Sequence, residues 1–470
     1  MKQPWPARIR ILLPGLAVAA AVAALGFWLW RGTDRPLAAR EPGADHAGGE
    51  AAGGGNPVLA GKRIAGDGTP ATLPGSWPRF RGPAGDGIGR ESTPLAHTWQ
   101  ADEPRTLWSV PLGDGYAGPV VSQGRVYVMD YDREQRQDAL RCLSLADGRE
   151  IWRFAYKVSV KRNHGMSRTV PAVDDQLVVA MGPKCHVVCL HPDTGELRWG
   201  LDLVRQFGAT VPVWYAGQCP LLETNHSVIL APGGKDALLV AVDGLTGNVL
   251  WRAPNPNGWK MTHSSVVPME FAGKRFYLYC ANNGVVAVSA TDGALLWETA
   301  EWKIALATVP SPVVLEGGRI FLSGGYNAGS MMLQVKEEAG RLSVQTVFKL
   351  PASVFGATQH TPILYQGNLY GVRDDNRFVC LSPEGKVRWA SGASEKFGLG
   401  PFLLADGVIF AMNDTGLLRL LEASPDQCKV LAQHSVLPGG EDSWGPMALA
   451  GGRLLVRDLT HLACLDVSRH

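Results

Sequence analysis

Short apolar runs recur along the chain, and many of them end at a turn that contains glycine. Runs such as Arg125–Met129 and Val408–Met412 have the length of β-strands and an alternating pattern. Dipeptides such as Asp147-Gly148 are typical of the tight turns that join two strands of a hairpin. The pattern therefore predicts an all-β chain built from consecutive hairpins.

One spacing of residues recurs in these hairpins. In four segments a small residue is followed six positions later by Gly and ten positions later by Trp, and a fifth segment is one residue shorter. The five segments are Cys142–Trp152, Cys189–Trp199, Ala241–Trp251, Ala287–Trp297 and Cys380–Trp389, with the glycines Gly148, Gly195, Gly247, Gly293 and Gly385. Each segment is predicted to form a strand, a tight turn and a second strand, which makes the chain a repeat protein.

A second pattern precedes these hairpins and consists of Pro, apolar residues, a turn and an alternating strand. Its copies begin at Pro119, Pro171, Pro220, Pro312, Pro362, Pro401 and Pro446, and the copy near Ser265 has its proline later, at Pro268. Proline cannot donate to a sheet ladder and is confined to unpaired edges. Such an edge is expected where a first strand lines a central channel. Each unit is therefore predicted to be a four-stranded blade of a β-propeller.

The tryptophan spacing predicts eight blades. Successive gaps are 44, 47, 52 and 46 residues between Trp108, Trp152, Trp199, Trp251 and Trp297. The next gap, to Trp389, is 92 residues, which is twice 46 and predicts a degenerate blade between them. Its strands are predicted at Ile320–Ser323, Met331–Val335 and Val344–Phe348. Leu107-Trp108 is predicted to complete the last blade, so that strands from both ends of the chain close the ring and remove free sheet edges.

The N-terminus carries a different signal. Ile11–Trp30 is an uncharged apolar run of about the length that crosses a bilayer, and three basic residues precede it. The positive-inside rule then places residues 1–10 in the cytoplasm, a transmembrane anchor or uncleaved signal at 11–30, and the rest of the chain in the periplasm. A cleaved signal peptide is the alternative. Residues 31–74 are rich in Ala, Gly, Pro and charge and are predicted to be a flexible linker, with the propeller at 75–470.

Composition limits the classes of partner. Hydrophobic residues make up 46% of the chain, which is enough to bury a large core. The 45 basic and 43 acidic residues nearly balance, so no nucleic-acid partner is expected. Common hydrolase and nucleotide-binding signatures do not occur in the sequence.

Two segments resemble a known family. Ala241–Trp251, with the sequence AVDGLTGNVLW, resembles the A-x-D-x-x-T-G-x-x-x-W tryptophan-docking motif of quinoprotein alcohol dehydrogenases. The motif recurs in proteins with repeats like those that bind pyrroloquinoline quinone (PQQ), among them the BamB propellers of outer-membrane assembly. Trp77–Pro83, WPRFRGP, followed by Asp86-Gly87, resembles the opening of a poorly characterised branch of this family. The resemblance covers about residues 77–470.

The resemblance implies a structural role for the repeated residues. In that family the tryptophan of one blade stacks between turns of neighbouring blades, and the small residue and glycine make room for it. The residues that this assigns to structural docking are Trp108, Trp152, Trp199, Trp251, Trp297, Trp389, Gly148, Gly195, Gly247 and Gly293. Cys replaces the small Ala in several copies, and most of the eight cysteines are expected to be free and buried.

The same resemblance raises the question of catalysis. The dehydrogenases hold PQQ between a tryptophan and a disulfide of adjacent cysteines, with calcium bound by Glu, Asn and Asp. No two cysteines are adjacent in this chain, so no cofactor and no catalytic residue are expected. PQQ with calcium, in an oxidoreductase or a cofactor-binding sensor, is the alternative. Three histidines lie near first strands but lack a short metal-binding spacing, so they are interpreted as channel-lining residues and no metal is expected.

The channel mouth is the predicted binding surface. The candidates lie just before or at the start of first strands and are Tyr116, His164, Arg168, Tyr215, His263, His360 and Trp444. Each is also explained by packing within a blade. The predicted function is a membrane-tethered periplasmic scaffold, similar to BamB, that binds a ligand or a protein partner at the cell envelope.

Overall fold

The alternating runs form eight antiparallel sheets in a computed structural model that describes residues 21–27 and 55–469. Six sheets contain four strands and two contain five, and sequence-adjacent strands are neighbours in each blade. The prediction of an all-β, eight-bladed propeller is confirmed. Blades are numbered along the chain, and strands within each blade run from the channel outward.

The first four blades follow the tryptophan repeat. Blade 1 contains Val120–Ser122, Arg125–Asp132, Gln137–Ser144 and Glu150–Lys157. Blade 2 contains Ala172–Val173, Val178–Met181, His186–Leu190 and Leu197–Asp202, followed by a short helix at Leu203–Phe207. Blade 3 contains Leu221–Leu222, Ser227–Leu230, Val240–Asp243 and Val249–Arg252. Blade 4 contains Val267–Phe271, Lys274–Ala281, Gly284–Ser289 and Leu295–Thr299.

The remaining blades include the degenerate one. Blade 5 contains Val313–Leu315, Arg319–Gly324, Gly329–Glu338 and Arg341–Leu350, with a 3-10 turn at Glu316–Gly318. Its three predicted strands are confirmed, and all three are longer than predicted. Blade 6 contains Ile363–Tyr365, Asn368–Val372, Phe378–Leu381 and Val387–Ala390. Blade 7 contains Phe402–Ala405, Val408–Met412, Leu417–Glu422 and Val430–Ser435.

Blade 8 closes the ring with strands from both ends of the chain. Its inner strands are Ala448–Ala450, Arg453–Arg457 and His461–Asp466, and its outer strand is Arg105–Pro111 from before blade 1. Trp108 lies opposite Cys464 in the register of this pair. The predicted closure is confirmed, and its physical basis is that pairing satisfies the backbone groups of the outer edge of the third strand.

Neighbouring blades meet through a repeated contact of tryptophan with glycine. A Cβ placed on Gly148 would lie 2.7 Å from Cε3 of Trp108, and one placed on Gly195 would lie 2.5 Å from Cδ2 of Trp152. Gly247 stands in the same relation to Trp199, and Gly293 to Trp251. Each indole therefore occupies the space that a side chain in the next blade would need.

In blade 5 the contact with the glycine of the next blade is made without a tryptophan. Gly385 of blade 6 would present a Cβ 3.1 Å from ring carbons of Phe348, which lies on the outer strand of blade 5. A phenylalanine ring is smaller than an indole, and Leu350 contacts the same glycine at 3.1 Å. The two side chains together take the place of the missing tryptophan.

Part of the predicted linker is ordered. Lys62–Ala65 pairs with the outer strand of blade 1 as a fifth strand, in a register that puts Ala65 opposite Trp152. Before it, a 3-10 turn at Pro57–Ala60 buries Val58 completely. The prediction of a flexible linker over residues 31–74 is therefore wrong for its last part. Strand pairing and one buried valine outweigh the Gly-rich composition on which that prediction was based.

The N-terminal segment is described only in part. Residues 21–27 are helical, and the rest of the predicted anchor at 11–30 lies outside the described residues. Within the described ranges, no helix is long and apolar enough to cross a membrane. The anchor and its orientation stay predictions.

Residues 77–89 cross the channel and are called the channel plug. Trp77 exchanges two backbone hydrogen bonds with Val121 of blade 1, at 2.8 and 2.9 Å. The next residue, Pro78, accepts a bond of 2.9 Å from the amide of Val173 in blade 2. Ile88–Gly89 then pairs in parallel with the inner strand of blade 7. The plug thus connects the inner strands of blades 1, 2 and 7.

Candidate functional site

A cavity of about 380 Å³ lies at the end of the channel where the inner strands begin, and it is called the cup. Its floor is the channel plug, which contributes Trp77, Phe80, Arg81 and Gly87. Its walls come from the segments just before the inner strands and include Tyr116, His164, Arg168, Trp214, Gly217, Cys219, His263, Ala307, Gln359, His360, Thr361, Pro401, Phe402, Trp444 and Pro446. All eight blades contribute to these walls, because every inner strand starts at this end of the channel.

The structure brings most of the predicted mouth residues together. Six of the seven candidates line the cup, and Tyr215 does not. Tyr215 is 2% exposed, and its hydroxyl donates to the carbonyl oxygen of Lys161. It therefore supports the wall from behind, while its neighbour Trp214 faces the cup. That these residues bind a ligand stays a prediction.

Sequence reasoning missed the floor of the cup. The segment WPRFRGP was interpreted only as a family resemblance and was not predicted to bind. It supplies two aromatic rings and an arginine to the cavity. A signal was present, because aromatic and basic residues beside Gly and Pro in a segment without strand alternation are unusual in a linker. Their position inside the channel could not be derived from a local pattern.

Arg168 is the cation of the cup wall. Its Nε donates to the carbonyl oxygen of Trp214 at 2.5 Å, and Nη2 donates to that of Asn163 at 2.8 Å. The guanidinium carbon lies 5.1 Å from the ring centre of Tyr116, which is within cation–π range. Burial lowers the pKa of Arg168 to about 10, and the side chain stays charged at neutral pH.

Tyr116 and Trp444 form an aromatic wall of the cup, and each side chain donates a hydrogen bond to a carboxylate. Their ring centres are 5.2 Å apart. The Tyr116 hydroxyl donates to Oδ2 of Asp442 at 2.9 Å, and the Trp444 Nε1 donates to Oδ1 of Asp414 at 2.7 Å. Burial and the Asp442 carboxylate raise the pKa of Tyr116, so it remains a donor. Neither carboxylate is among the described residues that line the cup, where the two rings present apolar surface.

His263 lies in the wall as a neutral imidazole. Burial, together with the nearby charge of Arg168, lowers its pKa to about 4. Gly217 makes room for the ring, because a Cβ there would lie 2.2 Å from His263 Cδ2. Among the described residues, Nε2 of His263 has no hydrogen-bond partner. In a neutral ring this nitrogen donates or accepts according to the tautomer.

His360 is a second neutral imidazole. Its Nε2 lies 2.7 Å from the carbonyl oxygen of Gly400, so this nitrogen carries the proton and donates. Nδ1 is then an acceptor, and within the described part of the chain it has no partner. Burial lowers the pKa of His360, and the ring lies 5.5 Å from that of Phe402.

The three predicted channel histidines do not gather into a metal site. His164 is exposed, and none of the three belongs to a close group of metal-ligating atoms among the described residues. The group that does exist is Asp174, Asp175 and His226, in turns that follow inner strands of blades 2 and 3. Its short contact, 2.7 Å between His226 Nδ1 and Asp174 Oδ2, is an ion pair or hydrogen bond within the protein.

The cup does not fit PQQ with calcium. Calcium binds six to eight oxygen ligands that usually include carboxylates. Among the described residues that line the cup there is no Asp or Glu. Cys219 is the one cysteine in the lining, and burial raises the pKa of its thiol to about 11. The donor set therefore lacks both the calcium ligands and the paired cysteines that such a cofactor would need.

Comparison with known families agrees with the fold. A family model described as "Outer membrane protein assembly factor BamB" matches residues 135–391, which is more than half of the chain. The chain belongs to the BamB family of PQQ-like repeat propellers. The resemblance predicted from the tryptophan repeat is thereby confirmed. No curated protein sequence matches the chain.

The chain is similar to several solved structures. BamB from Moraxella catarrhalis superimposes with a TM-score of 0.52 at 13% identity, covering 77% of this chain and 99% of that one. The computationally designed Ika8 protein gives 0.50 at 10% identity, over 77% of this chain and 99% of that one. The quinohemoprotein alcohol dehydrogenase of Comamonas testosteroni gives 0.44 at 13% identity, over 85% and 82%. Likeness at these identities describes the fold and not the activity.

Proposed function

We propose that this protein is a membrane-tethered periplasmic scaffold that binds a protein partner or a small ligand at the cup. The cup itself carries this proposal, because side chains from all eight blades surround one cavity at the same end of a rigid ring. Concave cavities with apolar walls and a few polar groups are typical binding sites.

Backbone geometry at the rim supports a binding role. His164 and Tyr215 have φ angles of 57° and 67°, and Asp442 has 49°. Left-handed backbone is uncommon for residues other than Gly, Asn, Asp and His, and for a bulky residue such as Tyr215 it costs on the order of 1 kcal/mol. Two of these residues belong to the predicted mouth, and the third holds the hydroxyl of Tyr116. The fold therefore maintains these loops in unfavourable conformations.

The described lining of the cup contains no activated cysteine. Burial lowers the pKa of His263 and His360 and raises the pKa of Cys219 to about 11, so the thiol is protonated and is not an activated nucleophile. We therefore propose a non-catalytic protein without a bound PQQ. Membership of the BamB family makes a role in outer-membrane assembly the leading proposal for its work at the cell envelope.

Site-specific photocrosslinking in living cells tests the binding role. A photoreactive amino acid at exposed His164 is expected to crosslink to a discrete partner protein, because this side chain lines the cup at its open side. The matched control is Val347, which is 51% exposed on the outer strand of blade 5. Equal crosslinking at both positions, or at neither, would contradict a protein-binding cup.

Cell fractionation tests the tether. We expect the full chain in the inner-membrane fraction, with the propeller cut by protease added to spheroplasts. Removal of residues 11–30 should abolish membrane recovery. A propeller that is protected from protease in spheroplasts would contradict the periplasmic placement.

A further inference from the structure

We propose that the cup binds an organic acid in which a carboxylate is attached to an aromatic body that bears a hydroxyl or N–H donor, with the carboxylate at Arg168. This inference deepens the ligand-binding part of the proposed function and depends on it. Two sources share this chemistry, a free aromatic acid and a peptide that ends in an aromatic residue. The argument has three parts, which concern charge, walls and acceptors.

The charge of the cup favours an anion. Its described lining contains two arginines, Arg81 and Arg168, and no carboxylate. Arg81 is committed to the fold, because its guanidinium donates to four carbonyl oxygens. Arg168 donates to two carbonyl oxygens, which use two of the five N–H donors of a guanidinium. A half-buried charge of this kind is stabilised by an anionic partner, and carboxylate is the anion that matches the guanidinium geometry.

The walls favour an aromatic body. Tyr116, Trp444, Phe402 and Phe80 all present rings to the cavity. The cup volume, about 380 Å³, lies within the range of about 300–1,000 Å³ that is usual for small-molecule sites. The carboxylates Asp442 and Asp414 accept hydrogen bonds from Tyr116 and Trp444, and neither is among the described residues that line the cup. A flat ring attached to the carboxylate would pack between these side chains.

The two neutral histidines favour a donor on the ligand. His263 Nε2 and His360 Nδ1 are buried nitrogens that have no hydrogen-bond partner among the described residues. A buried polar atom without a partner destabilises the protein, and a ligand that supplies the partner gains from it. A hydroxyl or N–H on the aromatic body would satisfy His360 Nδ1, which the Nε2 bond to Gly400 fixes as an acceptor. The ligand therefore needs both an acid group and a donor.

Calorimetric titration of the purified full chain in detergent tests this proposal. The probes are 6-hydroxy-2-naphthoate, its neutral amide 6-hydroxy-2-naphthamide, 2-naphthoate without the hydroxyl, and the peptide Gly-Gly-Gly-Tyr with a free carboxyl end. Heats are corrected with micelles that contain no protein. We expect the hydroxy acid to bind at least tenfold more tightly than its amide, and more tightly than 2-naphthoate. The tighter of the hydroxy acid and the peptide identifies the source.

Variants locate the binding. Arg168→Gln is expected to weaken binding of the hydroxy acid at least tenfold, and Arg168→Lys to weaken it less. Arg319→Gln on blade 5 is the matched control and should bind as the unmodified chain does. Equal affinity of the unmodified chain for the hydroxy acid and its amide would overturn the proposal. Unchanged affinity for the hydroxy acid in Arg168→Gln would also overturn it. If no acid binds while His164 still crosslinks to a protein, this inference fails and the scaffold function stands.

Discussion

Arg81 donates a hydrogen bond of 2.6 Å from Nη1 to the carbonyl oxygen of Thr361, which lies 280 residues later in the sequence. The same guanidinium donates to the carbonyl oxygens of Pro362 at 2.9 Å, Asp86 at 2.9 Å and Gly85 at 3.2 Å. One side chain thus connects the channel plug to blade 6 and folds the plug onto itself. Burial lowers the pKa of Arg81 to about 10, which leaves it charged at neutral pH.

Replacement of Arg81 should loosen the floor of the cup. Arg81→Met leaves four carbonyl oxygens without their donor, and we expect a loss of about 3 kcal/mol in the free energy of unfolding. Arg81→Lys keeps the charge but reaches fewer of these oxygens, so its loss should be smaller. Urea unfolding measures both. The control is exposed Arg90→Met in the segment directly after the plug, for which a loss above about 1 kcal/mol would contradict this assignment.

Gly195→Ala should destabilise the contact between blades 1 and 2. The glycine has φ 71°, and its Cβ would lie 2.5 Å from Trp152, which is fully buried. Strain and overpacking together should cost about 3 kcal/mol. Gly273→Ala is a matched control with φ 71° and nothing within 4 Å of its Cβ, so it should cost only about 1 kcal/mol. Thermal unfolding compares the two, and equal losses would show that the indole contact contributes little.

Asp138 should make stability fall as pH rises. It is fully buried, accepts a bond of 3.0 Å from Tyr156, and burial raises its pKa from 3.8 to about 8. Between these values the folded protein holds a proton that the unfolded chain releases, so the free energy of unfolding decreases with pH across this window.

Asp138→Asn should remove that slope. We expect the variant to be more stable than the unmodified chain by roughly 2–4 kcal/mol at pH 8, with the difference shrinking toward pH 5. Urea unfolding at several pH values measures this, and Asp426→Asn at an exposed position is the control. A difference that does not change with pH would show that Asp138 is not the titrating group.

The thiols should be largely unreactive in the native protein. All eight cysteines are free, and Cys428 alone is not fully buried. Burial raises the pKa of Cys428 to about 11, so even this thiol is mostly protonated at pH 8. Titration with Ellman's reagent should detect at most one slowly reacting thiol in native protein and eight in denaturant. Rapid reaction of two or more thiols before unfolding would contradict this burial.

The blades could be predicted because their signal is local. The spacing of Cys142, Gly148 and Trp152 lies within one hairpin, and the same spacing recurs in other blades. Such repeats need no knowledge of distant contacts, and a ring of identical units has few ways to close. The position of Trp108 in blade 8 could also be predicted, because the last repeat lacks an outer strand and the first tryptophan precedes any complete repeat.

The cup was predicted only in its walls. Tyr116, His263 and Trp444 precede inner strands, and equivalent positions in a ring face the same end, so periodicity could place them together. The plug has no repeat, and its bonds join Arg81 to Thr361 and Trp77 to Val121 across long stretches of chain. No local pattern specifies such contacts. The end of the linker was misplaced for the same reason, because Lys62–Ala65 forms a strand only against the edge of blade 1.

The sequence by itself determined the repeat, the number of blades and the closure of the ring, because hydrophobic alternation, turn glycines and tryptophan spacing act within a few residues of one another. The tertiary structure alone decided that residues 77–89 bond to the inner strands of blades 1, 2 and 7, and that Arg168 lies beside aromatic rings in a cup whose described lining contains no carboxylate. These features depend on burial and on hydrogen bonds between segments far apart in the chain. Their free energy arises only after the ring has brought those segments together.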